Sequence, residues 1–266
     1  MPTRIPFAVV TLGLATAVMA MPTLGTRPQT ATPVAATTDL PEGKSIVQRS
    51  VDAIGSKAAR DAVKSTEMKL TARTPMGTNK ISLTLCDPNK VLMKQSLEGA
   101  TRPSVEMGFD GAVGWMQTPN APPRVLTPEM CAQFAGGADA QELARSLDTR
   151  FTSFKTLGAE QVEGVDSWRV QLVDSDGIAS IGFFAKDTGL LRALDHMQDT
   201  PQGETVSRSV FDRWERVDGV MCCRKLSIAQ SGAKQEISFD EIVFNKVAAD
   251  AIRAPDALRA SGPTPK

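Results

Sequence analysis

Along most of this chain apolar and polar residues alternate one by one, the period of a strand that turns one face to a core. Met68, Leu70 and Ala72 alternate with Glu67, Lys69, Thr71 and Arg73. After a turn around Pro75-Met76-Gly77, Ile81, Leu83 and Leu85 alternate with Ser82 and Thr84. Asp87-Pro88-Asn89 turns the chain into a run begun by Val91 and Met93. Val105, Met107 and Phe109 then alternate with Glu106 and Gly108. Asp110-Gly111 is a strong hairpin dipeptide, and it leads into Val113 and Trp115. The pattern predicts five consecutive short strands here.

The alternation stops between Pro119 and Arg150. Pro119, Pro122 and Pro123 give an irregular stretch. Thr127 then caps a helical piece with Pro128 in its first turn, Gly136-Gly137 interrupts it, and Ala140 to Leu147 forms a second short helix. Strand patterns resume at Phe154–Leu157, then at Trp168, Val170 and Leu172. Asp174-Ser175-Asp176-Gly177 and Lys186-Asp187-Thr188-Gly189 are turns on either side of Ile178–Phe184. Leu191–Met197, Val206–Trp214, Val220–Ile228 and Ile237–Phe244 complete the set. Before all of these, apolar positions from Ile46 to Ala62 recur at helical spacing, predicting a helix over about Lys44–Lys64 with a kink or break at Gly55.

Turn signals at regular intervals in a strand-rich chain mean a barrel or sandwich rather than an α/β fold: one large, strongly curved antiparallel sheet with helices, mainly β in class. The concave apolar face of such a sheet needs a cover, whether helices, a partner or a lipid. The inward set is expected to include Met68, Leu70, Leu83, Leu85, Met93, Met107, Trp115, Phe183 and Leu191. Each alone fits ordinary core packed against the first helix and the central insertion. As a group they are rich in Met and Leu, which adapt to irregular or exchangeable apolar ligands.

The chain ends change the picture. Arg4 followed by the uncharged apolar run Phe7–Ala20 reads as a signal peptide, 1–20, cut after Ala20, with an uncleaved anchor as the alternative. Export to the periplasm or cell envelope follows. No Cys lies near the cut, so a lipid-modified terminus is not expected. Residues 21–41 are a Pro/Thr/Ala-rich linker with too few large apolar residues to offset ordering entropy. The folded domain is expected over 42–258, with a short tail at 259–266.

Charge narrows the partners. Thirty basic and thirty acidic residues balance, arguing against nucleic acid or a strongly anionic membrane as the dominant partner. Tyr is absent and aromatics are 5% of the chain, which removes the usual stacking platforms for bases or sugars. Cys86, Cys131, Cys222 and Cys223 could pair in an exported protein or stay as buried thiols. As strand neighbours, Cys222 and Cys223 should point to opposite faces.

Catalytic machinery is not evident. His196 is the single histidine and reads as a surface or rim residue; with no Cys-x-x-Cys spacing, a zinc site is not expected. No Gly-x-Ser-x-Gly occurs. Ser231-Gly232-Ala233-Lys234 has Ser-x-x-Lys spacing, but its companion motifs are missing and it reads as a hairpin turn. Asp174 and Asp176 lack the further ligands of a calcium loop. A non-catalytic protein without metal or cofactor is the expectation.

The order of elements resembles the periplasmic outer-membrane lipoprotein carriers and their wider LolA-like superfamily. A first helix precedes a Pro-Asn turn between early strands (Pro88-Asn89). An Asp-Gly and an aromatic follow (Asp110-Gly111 to Trp115), then a helical insertion, a Thr-Gly-Leu turn (Thr188-Gly189-Leu190) and an Asn before a last Pro (Asn245, Pro255). The resemblance covers about Gly43 to Leu258. It implies a half-open antiparallel β-barrel lidded by helices, a cavity for lipid or lipoprotein acyl chains, and membrane-bound donor and acceptor proteins as partners. It also admits an envelope sensor or structural module that binds a protein. In the carriers an arginine just before the Pro-Asn turn helps hold the lid closed. Asp87 stands at that place here, so that closing device does not carry over.

Overall fold

Two β-meanders meet in the middle of one sheet. The computed structural model describes residues 40–259 apart from 76, 138–139, 201–202, 231 and 249. The expected leader, most of the expected linker, Met76, Ser231 and the tail from 260 onward therefore lie outside the described residues. The first meander runs outward through β1 (Ser65–Thr74), β2 (Gly77–Cys86), β3 (Lys90–Leu97), β4 (Val105–Phe109), β5 (Gly114–Gln117) and β6 (Arg124–Val125). The second runs back from the far edge through β7 (Phe151–Val162), β8 (Val165–Asp174), β9 (Ala179–Ala185), β10 (Leu191–Thr200), β11 (Gly203–Val217), β12 (Val220–Gln230) and β13 (Ala233–Phe244). Pairing of β1 with β13 joins the two arms, giving the order β6-β5-β4-β3-β2-β1-β13-β12-β11-β10-β9-β8-β7, antiparallel throughout. The edges β6 and β7 do not pair, so the curved sheet stays open rather than closing into a barrel.

That topology dictates where the insertion goes. The chain must cross from one sheet edge to the other, and it does so over the concave face as α3 (Pro128–Gly137), α4 (Ala140–Arg145) and α5 (Leu147–Arg150). Phe134, Leu143, Ala144 and Leu147 of these helices are buried in the main core. Beside them lies α1 (Gly43–Ile54), whose apolar stripe Ile46, Val47, Val51 and Ile54 is buried on the same face.

The expected single helix over Lys44–Lys64 is broken at Gly55. A Cβ there would come within 2.8 Å of the Gly219 carbonyl oxygen, so close approach to the β11–β12 turn requires glycine. Ser56 then caps a second helix, α2 (Lys57–Asp61), its hydroxyl accepting from the Ala59 N–H at 3.2 Å. Asn245 clips the segment entering β1 to the end of β13. Its side-chain oxygen accepts from the N–H of Lys64 (2.7 Å) and Ser65 (3.3 Å), and its amide donates to the Ala62 carbonyl (2.9 Å).

The convex face carries two small clusters of its own. Trp115 packs with Cys86, Ile252, Ala254 and Leu258, the last on α6 (Asp256–Arg259). Phe183 packs with Val162, Ala193 and Val210.

Candidate functional site

The register places one apolar row across six adjacent strands. Ile242 (β13), Met68 (β1), Leu83 (β2), Met93 (β3), Met107 (β4) and Met116 (β5) stand directly opposite one another in turn. At a strand spacing of about 4.8 Å the row runs roughly 24 Å. Four of its six members are Met, a side chain that re-forms its contacts easily. Cover thins along it: Met68 is 1% exposed and Met93 6%, whereas Met107 and Met116 are only half-buried. Leu70 and Leu191 are buried in the same core, and Leu85 packs against its margin. Met116 did not figure among the expected residues, although its spacing from Met107 across the hairpin marks it.

Two expected members lie elsewhere. Trp115 is opposite Gly108 on the convex face, where a Cβ on Gly108 would fall 2.1 Å from the indole ring. The cause is the turn: Asp110 N–H donates to the Val113 carbonyl (3.2 Å) and Asp110 Oδ1 accepts from the Ala112 and Val113 N–H groups (3.1 and 2.9 Å). The resulting register directs Met116, not Trp115, inward, since a one-residue slip exchanges faces. Phe183 likewise faces outward, under the Arg208 guanidinium at 5.0 Å, while its neighbour Phe184 takes the core position. Nor is the concave face left hollow. Helices α1, α4 and α5 fill its centre, and Ser50 Oγ, fully buried on α1, has no hydrogen-bond partner there.

Two polar contacts hold this cover. The pairing of β12 with β13 ends at Lys225, and Cys223, two residues beyond, is bound instead by Gln141 of α4. The Gln141 amide donates to the Cys223 carbonyl at 2.8 Å and its oxygen accepts from the Cys223 N–H at 2.9 Å, in a buried setting. Arg60 of α2 donates to the carbonyls of Arg145 (2.8 Å) and Gly55 (3.2 Å), tying α2 to α4.

The second arm shows a polar row in the same register. Ser180, His196, Ser207 and Gln230 are directly opposed across β9 to β12. His196 is therefore not a surface or rim residue. It is buried on the concave side, two residues from Leu194, with Nδ1 3.1 Å from the Ser180 hydroxyl. That two-residue offset from a core leucine was the available signal.

All four cysteines are free and buried. Cys222 and Cys223 are both buried in the main core. Burial pushes the Cys223 thiol up to about 12 from its ordinary 9.0 and raises those of Cys86 and Cys131 as well. Among the described residues no group of three or more His, Cys, Asp and Glu converges as a metal site would require.

A cleft of about 390 Å³ opens at the end of the half-barrel where α2, the β2–β3 turn, α4 and α5 meet. Val63, Leu85, Val91 and Ala135 contribute apolar lining, and charged side chains of both signs line it beside uncharged polar ones such as Asn89, Ser146 and Thr149. Asp87 lines it too, paired with Lys64 at 3.3 Å.

No protein-family model matches the chain, and no curated protein matches it. Solved structures do. A DUF1329 family protein from Desulfovibrio piger superposes with TM-score 0.56 at 15% identity, covering 82% of this chain and 99% of that one. A LolA superfamily protein from Nitrosomonas europaea gives 0.52 at 10% identity, covering 80% and 98%. A putative outer membrane lipoprotein-sorting protein domain from Vibrio parahaemolyticus gives 0.51 at 13%, covering 77% and 92%. The fold is LolA-like.

Proposed function

We propose that this is an exported, non-catalytic cell-envelope protein that binds lipid or lipoprotein acyl chains, of the outer-membrane lipoprotein-sorting type. The observation that carries this reading is the methionine-rich row on the concave face, whose cover thins toward β5. An acyl chain laid along it gains about 0.8 kcal/mol per methylene removed from water. Room for it comes from α3, whose Phe134 is the element's buried anchor in the core, while α1, α4 and α5 stay seated. The LolA-like fold is in keeping with the role, though fold alone does not assign it.

A second reading, a module that binds a protein partner, is favoured by one observation. Met197 and Val206 are directly opposed on β10 and β11, 44% and 50% exposed, and form an apolar pair on the convex face. Native mass spectrometry of protein purified from its own envelope separates the two. The lipid reading expects copurifying acyl species, and fluorescence enhancement of an apolar probe that falls in Met107→Asp. Protein that carries no lipid and leaves the probe dark, yet retains a stable partner, sinks it.

A further inference from the structure

We propose that the cleft between α2, α4, α5 and the β2–β3 turn is a headgroup site for a zwitterionic amphiphile, one carrying a phosphate and an ammonium group. The inference rests on the acyl-binding reading above and adds to it the polar end of the ligand.

Three observations combine. First, the cleft's volume of about 390 Å³ lies in the range of small-ligand pockets, about 300–1,000 Å³. Second, its position is right. The floor residues Leu85 and Val91 are inward-facing and lie two residues along their strands from Leu83 and Met93 of the methionine-rich row. Two residues of strand are about 7 Å, so a chain entering over this floor reaches the row at once. Third, both signs of charge line the cleft: Arg60, Lys90 and Arg145, with Glu142 and Asp148. Arg60 is held in place by its two carbonyl contacts, which fixes a cationic group at the α2 side. A bare carboxylate uses only one half of this lining. A phosphate with an ammonium a few ångströms away uses both, through charge-assisted hydrogen bonds.

The experiment compares palmitate with palmitoyl-lysophosphatidylethanolamine, below their micellar concentrations, by titration calorimetry on the full chain. The lysophospholipid is expected to bind about tenfold more tightly than palmitate, a difference of about 1.4 kcal/mol. Lys90→Glu and Glu142→Lys are each expected to bring the lysophospholipid to within about twofold of palmitate while palmitate affinity holds. Equal affinity of the two ligands for the unaltered protein overturns the headgroup site and leaves acyl binding standing. A lysophospholipid advantage that survives both charge reversals also overturns it, because the headgroup then sits elsewhere. Binding of neither ligand removes the acyl reading and the headgroup site with it. The comparison on the unaltered protein needs no variant to fold.

Discussion

The two arms of the sheet use their concave faces differently. In the second arm Val170, Leu172, Phe184 and Leu191 are 0% exposed, and α1, α4 and α5 pack over the core they belong to. In the first arm the corresponding positions on β4 and β5 are Met107 and Met116, half-buried near the sheet edge. Branched and aromatic side chains in one arm make a tightly filled wall, whose density resists any change of occupant. Unbranched thioethers in the other tolerate one. The contrast shows that a single sheet can be fully covered at one end and only half-covered at the other, the division being made by side-chain type and by where the crossing helices rest.

Mutation can break or sharpen that contrast. Leu191→Ala should cost about 2–5 kcal/mol of unfolding free energy, because the cavity cannot collapse in a sealed wall, whereas Met107→Ala should cost less than about 1.5. Denaturant titration reads both, and equal losses would erase the distinction between the arms. Gln141→Ala leaves the buried N–H and carbonyl of Cys223 unpaired and should cost about 1–3 kcal/mol. Hydrogen exchange should then quicken in α4 ahead of α3; unchanged protection of α4 would remove Gln141 from the seal. The smallest effect concerns the thiols. Cys131 on α3 should react with a maleimide before Cys222 and Cys223, which wait for global opening. The Cys223 thiol stays protonated in the folded state up to about pH 12, while the unfolded thiol ionises near 9.0. Its contribution is therefore complete below about pH 9 and is lost as pH rises toward 12. A stability profile flat across that interval, once compared with Cys223→Ala, would contradict its burial.

Much of this was readable in the chain. Alternation at Met68-Leu70-Ala72 and Ile81-Leu83-Leu85, and turns such as Asp110-Gly111, depend only on local geometry, so the strands fall where the pattern puts them. Face assignment is harder. Trp115 fails because the hairpin's length, not its apolar content, sets the register. The pair Phe183-Phe184 offers no alternation to decide between faces. Gln141 is invisible for another reason: its partner is backbone left free where β13 parts from β12, a fact of topology rather than of any side chain. The cleft was hidden similarly, since α2, α5 and the β2–β3 turn are brought together only by the fold.

Asn245 has one more consequence. It binds the backbone of Lys64, 181 residues earlier, where the first and last strands of the sheet lie side by side. The middle of the molecule is thus assembled from the two ends of the described sheet, and the two arms are not joined until β13 has been made. Long loop closure of this kind slows folding. The central ladder is therefore the part of the sheet that waits longest for its partner strand.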